Sequence, residues 1–273
     1  ACLLGHNTHC AQDAAQLIHP SAIVDPKAEL DSDVEVGPFT YIGPHVQVGA
    51  GSRIHSHVVL KGPTVIGRNN RILQFSSVGE DTPDLKYKSE PTRLVIGDNN
   101  VIREGVTIHR GTVQDRSETT IGNDNLVMSY VHIAHDCVVG NHTILVNNAS
   151  LAGHVQVDDW AILSGYSLIN QFSRIGAHSF VGMGSWIKFD VPAYVTVQGT
   201  PAEARGINAE GLRRRGFTPE QVAAVRQAYK VVYRRGLNLD EAIADLELRA
   251  AEHPELNILI QSLRDSEGRG IVR

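Results

Sequence analysis

A large aliphatic residue recurs at every sixth position through most of the chain. The series begins at Ile18, ends at Ile187 and holds at 26 positions in three uninterrupted runs. A period of six fits neither the α-helical turn nor a heptad, so a helix would scatter these side chains around its circumference. One short strand and a turn per six residues, with three such units per 18-residue coil, would put each aliphatic side chain inside a prism. The sequence therefore predicts a mainly β fold, in which residues 18–192 form a parallel β-helix of roughly nine coils and about 40 Å.

Two stretches interrupt the repeat, at residues 80–93 and at residues 111–119. Both are rich in charged and turn-forming residues, which is typical of loops. A solenoid tolerates insertions as loops on one face, and that face is often the functional one. We therefore expect loops at 80–93 and 111–119 that border a functional site.

The repeat stops after residue 192. Helix-capping patterns follow, and they begin at Thr218, Asn238 and Pro254. A capping residue with Glu or Gln three positions later, or a proline in the first turn, is typical of a helix start. Residues 193–273 are therefore predicted to form a small C-terminal α-helical domain.

The first 17 residues lack the repeat. They contain Cys2, His6, His9 and Cys10, but this spacing matches no known zinc pattern. They also lack the basic start and apolar core of a secretory signal. We expect residues 1–17 to be a disordered leader or a segment added for expression of the protein.

The composition excludes several classes of protein. The formal net charge of -5 gives no overall basic footprint, so nucleic acid is not expected as a partner. No apolar run approaches the roughly 18 residues that cross a bilayer, so no transmembrane segment is expected. Three cysteines are too few for a disulfide framework. A cytoplasmic location is the default expectation.

Histidines concentrate in the middle of the last run of the repeat. Four of the 13 histidines lie there: His132, His135, His142 and His154. In an 18-residue coil, His135, Gly153 and Gln171 share one column, while Asp136 and His154 share the next. A histidine beside the backbone N–H of a glycine suits a general base next to an oxyanion donor. Asp136 could fix the tautomer of this base and raise its basicity.

Two other interpretations of these histidines stay open at this stage. Turn positions on a β-helix face solvent, where polar residues need no special function. Some hexapeptide proteins that resemble carbonic anhydrases bind zinc between subunits with three histidines, and His132, His135 and His154 could imitate that set. Spacing alone does not choose among these interpretations.

Five ordered motifs resemble the UDP-N-acetylglucosamine O-acyltransferase family, whose β-helix is left-handed. They are Asp84-Leu85-Lys86-Tyr87, Ile108-His109-Arg110-Gly111-Thr112, His132-Ile133-Ala134-His135-Asp136-Cys137, Leu151-Ala152-Gly153-His154 and the segment from Asn208 to Phe217. The resemblance extends from Ile18 to Arg273. It implies transfer of a 3-hydroxyacyl chain from acyl carrier protein to the 3-hydroxyl of UDP-N-acetylglucosamine, the first step of lipid A synthesis. It also implies a homotrimer with its active sites between subunits, and no cofactor or metal.

The resemblance implies a role for each matching residue. His135 would be the general base, Asp136 would orient it, and the Gly153 N–H would face the oxyanion. The residues implied in substrate binding are Asp84 and Lys86 for the glucosamine, His132 and His154 for the nucleotide sugar, Gln171 for the acyl and pantetheine path, and Asn208, Glu210, Arg214 and Arg215 for the uridine diphosphate and the neighbouring subunit.

Asn170 and Met183 lie at positions that bear on substrate binding and acyl length in this family. The family usually has histidine where this chain has Asn170, and asparagine keeps a hydrogen bond but does not titrate near neutral pH. Met183 lies where the family sets acyl length with glycine or a bulkier side chain. A methionine would shorten the groove, so we expect a chain nearer ten carbons than fourteen. The alternative is that Met183 only fills a gap in the core.

A basic cluster marks the C-terminal part of the acidic chain. It comprises Arg213, Arg214, Arg215, Lys230, Arg234 and Arg235. Acyl carrier protein is acidic, and complementary charge would speed its encounter with this surface. A solvated helical face is the alternative.

Three rival functions remain at this stage. A related N-acyltransferase shares the β-helix but usually carries an N-terminal uridine-binding domain. A zinc-binding hexapeptide protein resembling carbonic anhydrase would hold stoichiometric zinc. A purely structural scaffold would have no activity to lose on substitution of His135.

Overall fold

A computed structural model describes residues 17–273 of the chain. The predicted leader, except Leu17, lies outside the described residues, as do Cys2, His6, His9 and Cys10. Among residues 17–273, no helix combines the length and the apolar character needed to cross a membrane.

Short strands of two to six residues are the commonest elements of the described chain. They are β1 (Ile23–Val24), β2 (Glu29–Leu30), β3 (Glu35–Val36), β4 (Tyr41–Ile42), β5 (Val46–Val48), β6 (Arg53–Ile54), β7 (Val59–Leu60), β8 (Thr64–Ile66), β9 (Arg71–Ile72), β10 (Ser77–Glu80), β11 (Arg93–Ile96), β12 (Val101–Ile102), β13 (Thr107–His109), β14 (Glu118–Ile121), β15 (Leu126–Val127), β16 (His132–Ile133), β17 (Val138–Val139), β18 (Ile144–Leu145), β19 (Ser150–Leu151), β20 (Gln156–Val157), β21 (Ile162–Leu163), β22 (Leu168–Ile169), β23 (Arg174–Ile175), β24 (Phe180–Val181), β25 (Trp186–Ile187), β26 (Val195–Gly199) and β27 (Ala202–Ile207). The helices are α1 (Ala209–Arg214), α2 (Pro219–Arg234), α3 (Leu239–Ala250) and α4 (Leu256–Asp265).

Every third strand joins the same sheet, which confirms the predicted parallel β-helix. Sheet I runs from β1 and β4 to β25, sheet II from β2 and β5 to β23, and sheet III from β3 and β6 through β24 to β26 and β27. The chain turns at three corners per coil, which we call the I/II, II/III and III/I corners after the sheets that they join. The aliphatic residue of each repeat from Val36 onward points into the prism and is almost fully buried.

Two kinds of residue allow the tight corners. The glycine after the aliphatic position permits close backbone approach; a Cβ on Gly97, for example, would lie 2.8 Å from the carbonyl oxygen of Gly122. Positive φ is instead adopted by non-glycine residues in the second turn position, such as His154 and Phe172, both at φ 65. Steric exclusion therefore explains this glycine, whereas positive φ does not.

The two interruptions are loops of residues 81–92 and 110–117. Both follow a strand of sheet I and precede a strand of sheet II, so both lie at the I/II corner. Each is shorter than the predicted stretch because β10, β11 and β14 extend into it.

The β-helix continues beyond residue 192, where the sequence predicts its end. Strand β26 pairs in parallel with β24, and β27 folds back antiparallel on β26. Ile175 is bridged to Val191, and Val181 pairs with Val197, so this last coil has 16 residues in place of 18. The six-residue period is lost there although stacking continues. The segment predicted to be wholly helical therefore begins with a β-hairpin.

The C-terminal helices pack on this end of the β-helix. Capping boxes at Thr218 and Asn238 begin α2 and α3 as predicted. Helix α4 begins at Leu256, two residues after the predicted Pro254, and α1 is a short additional helix capped by Asn208. Buried side chains of these helices form a second hydrophobic cluster with the end of the β-helix.

Candidate active site

Both inserted loops leave the β-helix at the I/II corner, where a row of side chains also lies. His135, His154 and Phe172 occupy successive coils there. The rings of His135 and His154 meet edge to face, with centroids 5.0 Å apart, and His154 stacks on Phe172 at 4.3 Å. The periodicity placed His135 and His154 in neighbouring columns, and the structure brings them into contact.

His135 is held by a buried carboxylate. Its Nδ1 lies 2.8 Å from Oδ2 of Asp136, whose side chain has no exposed surface. The same carboxylate accepts hydrogen bonds from the backbone N–H of Thr112 at 3.0 Å and from its hydroxyl at 2.6 Å. Thr112 belongs to the second inserted loop, so this loop fixes the carboxylate that fixes the imidazole.

The charge on Asp136 determines the tautomer of His135. Burial raises the pKa of the Asp136 carboxyl, but hydrogen bonds from His135 and Thr112 outweigh that effect and bring the pKa below its ordinary value. An ionised carboxylate only accepts hydrogen bonds, so the proton of neutral His135 resides on Nδ1. Nε2 then carries the free lone pair, which is the state that a general base requires.

Gly153 lies directly against the ring of His135. A Cβ at this position would come within 2.6 Å of Cε1 and 2.7 Å of Nε2. Gly153 is buried, and within residues 17–273 its backbone N–H meets no acceptor. A free N–H beside Nε2 can therefore stabilise an oxyanion that forms next to the imidazole.

His154 links the corner to the second loop. Its Nδ1 lies 2.6 Å from Oδ2 of Asp115, a loop residue that the sequence did not single out. Gln171, one coil above Gly153, is exposed, and its backbone carbonyl accepts a hydrogen bond of 2.9 Å from Arg269. The C-terminal tail thus reaches the same corner.

His132 and His109 form a second pair on sheet I, with ring centroids 5.2 Å apart. Burial, assisted by neighbouring His135, lowers the pKa of His132, and its Nδ1 lies 2.8 Å from the hydroxyl of Thr107. Burial, with a smaller effect of His132, lowers the pKa of His109 to about 4. Both rings are therefore neutral at pH 7. His109 had no predicted role, although a histidine immediately before an inserted loop could have indicated one.

Arg110 anchors the first inserted loop. Its buried guanidinium donates to the carbonyl of Gly79 at 2.5 Å and to the hydroxyl of Tyr87 at 2.9 Å, and it pairs with Asp81. This anchor was not predicted, because sequence spacing cannot show which residue of the second loop reaches the first loop.

The predicted loop residues Asp84 and Lys86 lie beyond this anchor. The Asp84 carboxylate accepts the backbone N–H of Lys86 at 2.9 Å, which closes a local turn. Lys86 is exposed and forms no ion pair within the described part of the chain. Its ammonium is thus available to a ligand.

The three histidines of the zinc interpretation are not gathered into one group. His135, Asp136 and His154 have ligand atoms within 4.8 Å of one another, whereas His132 is absent from that cluster. The Asp136 carboxylate already accepts from Thr112 and His135, and Nδ1 of His154 faces Asp115. These contacts engage Nδ1 of both histidines and the Asp136 carboxylate.

A second polar site lies at the II/III corner. A cavity of about 750 Å³ there is lined by residues of the β-helix and of α1, among them Trp160, Asn208, Glu210, Arg214 and Arg215. The guanidinium of Arg215 lies 5.3 Å from the centre of the Trp160 ring, which also stacks on His142 at 4.1 Å. Glu210 pairs with Arg213 and Arg214, and this lowers the pKa of its carboxyl.

Acidification is expected to destabilise the fold through His178, which stacks between Trp160 and Tyr194 at the II/III corner. Burial, reinforced by the charge of Arg215 and opposed by Asp159, lowers the His178 pKa to about 4. A histidine in an unfolded chain has a pKa of about 6.5. Between these two values the unfolded state binds a proton that the native state excludes, so the free energy of unfolding falls as the pH falls.

Thermal unfolding followed by circular dichroism across this pH window tests the expectation. His178→Phe keeps a ring in the stack and removes the titrating group, and Phe172 shows that phenylalanine adopts the same positive φ. The variant is expected to lose less stability on acidification than the wild type. Equal losses in the two proteins would exclude His178 as a source of the effect.

The predicted site residues do not all meet within one chain. His135 and Gly153 lie at the I/II corner, Arg215 lies at the II/III corner, and Met183 lies at the III/I corner, where its side chain is 70% exposed. The corners are separated by the sheets of the prism. A ligand that contacts both His135 and Arg215 therefore needs a second copy of the chain to supply one of them.

Comparison with known proteins supports a single family. The family model for "Udp N-acetylglucosamine O-acyltransferase; Domain 2" matches residues 190–272. The family model for "Bacterial transferase hexapeptide (six repeats)" matches residues 27–62 and 118–153. The chain is 68% identical to the acyl-[acyl-carrier-protein]–UDP-N-acetylglucosamine O-acyltransferase of Stutzerimonas stutzeri over 213 residues, which cover 78% of this chain and 82% of that relative. It is 70% identical to the protein of the same name from Pseudomonas aeruginosa over 204 residues, covering 75% and 79%.

Solved structures agree with the sequence comparison. LpxA of Acinetobacter baumannii superposes with a TM-score of 0.92 at 51% identity, over 94% of this chain and all of that one. The Arabidopsis UDP-N-acetylglucosamine acyltransferase gives a TM-score of 0.81 at 38% identity, over 94% of this chain and 99% of that one. These matches confirm the resemblance predicted from the motifs. The chain is an acyltransferase and belongs to the UDP-N-acetylglucosamine O-acyltransferase family.

Proposed function

We propose that this protein transfers a 3-hydroxyacyl chain from acyl carrier protein to the 3-hydroxyl of UDP-N-acetylglucosamine, which begins lipid A synthesis. The observation that carries the proposal is the linked arrangement of Thr112, Asp136 and His135 beside the free N–H of Gly153. It supplies a base with a fixed tautomer and an oxyanion donor next to each other. The names of the relatives supply the substrates.

The proposed reaction begins when Nε2 of His135 takes the proton of the sugar 3-hydroxyl. The oxygen attacks the thioester carbonyl, and the resulting oxyanion accepts a hydrogen bond from the Gly153 N–H. Collapse of the tetrahedral intermediate breaks the carbon–sulfur bond, and His135 returns its proton to the departing thiolate. Asp136 stabilises the imidazolium during these steps. A base of this type contributes about 10²–10⁴-fold in rate.

We assign the nucleotide sugar to the surface between the two loops. Asp84 and Lys86 on the first loop would contact the glucosamine, and His132 and His154 would hold the nucleotide sugar beside the base. Neutral His132 can donate or accept a hydrogen bond without adding charge. Gln171, exposed above Gly153, would border the path of the acyl chain and pantetheine.

We further propose that the working form is a homotrimer. The I/II corner of one chain would face the II/III corner of its neighbour, which would bring Asn208, Glu210, Arg214 and Arg215 to the uridine diphosphate. The separation of these two sets on different corners of one prism supports this arrangement. A homo-oligomer with closed symmetry satisfies it without leaving an unpaired face.

A ladder of acyl donors tests the function and the acyl length together. Purified protein is given UDP-N-acetylglucosamine with 3-hydroxyacyl carrier proteins of eight to sixteen carbons, and products are identified by mass spectrometry. We expect O-acylated product with a chain nearer ten carbons than fourteen, because Met183 lies where the family sets acyl length and would shorten the groove. Preferential transfer of the fourteen-carbon chain would contradict the acyl-length prediction alone.

The rival functions give different results in the same experiment. Transfer only to the free amine of a UDP-3-O-acylglucosamine would favour the N-acyltransferase. Stoichiometric zinc without acyl transfer would favour the zinc-binding protein. Absence of any transfer and of zinc would leave the structural scaffold. A cytoplasmic location stays a prediction.

The donor would dock through cations on α2. Arg226, Lys230 and Arg234 are four residues apart, so they form one stripe on the helix, and all three are exposed. None of them forms an ion pair within residues 17–273, whereas Arg235 of the predicted cluster pairs with Asp245. The stripe thus offers free positive charge to acidic acyl carrier protein. Arg226 was missed because the prediction followed clusters in sequence and not the helical face.

Reversing the charge of this stripe is expected to slow the reaction with acyl carrier protein. With Arg226, Lys230 and Arg234 each replaced by Glu, we expect kcat/KM for acyl carrier protein to fall roughly tenfold or more at low salt, and the difference to shrink as salt rises. A short acyl-pantetheine donor should be used at the wild-type rate. Lys27→Glu, an exposed reversal in the first coil, is the control. An equal loss with both donors would contradict the docking role.

A further inference from the structure

Asn170, where the family usually has histidine, has a partner in the next coil. The indole N–H of Trp186 donates a hydrogen bond of 2.9 Å to Oδ1 of Asn170. Trp186 pairs in register with Leu168, two residues before Asn170 on the neighbouring strand. The bond therefore draws the indole towards the I/II corner, where His135 and Gly153 lie. An amide oxygen accepts this bond at any pH, whereas a protonated histidine would not.

Trp186 ends a column of outward-facing side chains on sheet I. The column runs in register through Thr107, His132, Ser150, Leu168 and Trp186. Its first three members are polar and its last two are apolar. At one strand spacing per step, the distance from His132 to Trp186 along the sheet is about 14 Å. The polar end lies beside the proposed sugar site, and the apolar end leads away from it.

Apolar surface is exposed around this apolar end. Leu168 is 52% exposed, Phe172 is 51% exposed, and Met183 is 70% exposed. Phe172 stacks on His154, so it lies next to the proposed active site. An acyl chain whose carbonyl lies against Gly153 would find apolar contact in this direction along sheet I.

We propose that Trp186, oriented by Asn170, is a specificity-determining residue that closes the acyl groove together with Met183. This inference rests on the proposed function, because it takes the 3-hydroxyacyl chain as the occupant of the surface. Asn170 is a positioning residue, which acts through the indole without touching substrate. Asn170, in place of the usual histidine, would therefore influence the acyl length by orienting Trp186.

Competition between donors of different length is the test. Full-length protein receives an equimolar mixture of ten- and fourteen-carbon 3-hydroxyacyl carrier proteins with UDP-N-acetylglucosamine, and the product ratio is measured. Trp186→Ala is expected to raise the share of the longer product roughly tenfold or more, since each methylene that a pocket admits or rejects changes a rate by at least that order. Phe39→Ala, an exposed aromatic truncation in the N-terminal coils, should leave the ratio unchanged.

Milder variants isolate the hydrogen bond. Trp186→Phe keeps the aromatic bulk without the N–H, and Asn170→Ala removes the acceptor. Both should move the ratio in the same direction by a smaller factor. The double variant should do no more than either single one, because the two changes break the same bond. These variants also keep the test decisive if Trp186→Ala fails to fold, which thermal unfolding reports.

The outcomes separate this inference from the proposed function. Wild-type protein that transfers no acyl chain would contradict the function itself. Active wild-type protein with the same product ratio in the folded Trp186 and Asn170 variants would contradict only the role of the pair. Additive effects of Asn170→Ala and Trp186→Phe would contradict the positioning role of Asn170.

Discussion

Replacing His135 by alanine is expected to lower kcat for acyl transfer by about 10²–10⁴-fold, the usual contribution of a general base. The change removes Nε2, the atom proposed to take the proton of the sugar hydroxyl. KM for UDP-N-acetylglucosamine should change little, because other residues are proposed to hold the nucleotide. Initial rates measured at saturating donor over a range of acceptor concentrations give the two constants separately.

The His135→Ala change should remove the base without disturbing the rest of the site. Asp136 would keep its hydrogen bonds from the N–H and hydroxyl of Thr112, so its carboxylate would not be left without partners. The β-helix should therefore remain folded, which circular dichroism can verify. His19→Ala, at an exposed position in the first coil, is the matched control and should keep full activity. A His135→Ala enzyme with near wild-type kcat would remove this residue as the base.

Gly153→Ala is expected to be nearly as damaging, although it adds only a methyl group. The new Cβ would lie 2.6 Å from Cε1 and 2.7 Å from Nε2 of His135, closer than van der Waals contact allows. Asp136 holds the other side of the ring, so the imidazole must rotate or move away from its bond. A displacement of about 1 Å at a reacting group costs roughly 10²-fold in rate. We therefore expect kcat to fall by at least that factor.

A second glycine serves as the control for Gly153→Ala. A Cβ on Gly43, in the N-terminal coils, would come no closer than 3.3 Å to another atom, the nearest being a side-chain carbon of Tyr41. Gly43→Ala should therefore keep wild-type kcat. The unfolding temperatures of both variants show whether a loss of activity follows from misplacement of the base or from loss of fold. Full activity in folded Gly153→Ala would contradict the close packing inferred here.

Regular stacking explains which parts of this architecture were predictable. The six-residue period gave the β-helix, and the 18-residue coil gave the neighbourhood of His135, Gly153 and His154. Both follow from the sequence because each coil repeats the geometry of the one below it. Local capping chemistry likewise gave α2 and α3 at Thr218 and Asn238.

The features that were missed depend on departures from that regularity. Thr112 reaches Asp136, and Asp115 reaches His154, only because inserted residues 110–117 fold back over the corner. The 16-residue coil preserves stacking while the period disappears, so the predicted end of the β-helix came too early. The bond between Trp186 and Asn170 depends on a side-chain torsion that no spacing rule contains.

The register of sheet I has a consequence for how such an enzyme can change its substrate. Adding or removing a whole coil between the base and the end of the groove would alter the reach by about 4.8 Å at once, several methylenes of an acyl chain. Adjustments of one or two carbons are finer than this step, so they must come from the size and orientation of single side chains. Divergence in acyl length within a rod of constant coil number is therefore expected to be concentrated at a few outward positions, with the inward aliphatic ladder unchanged.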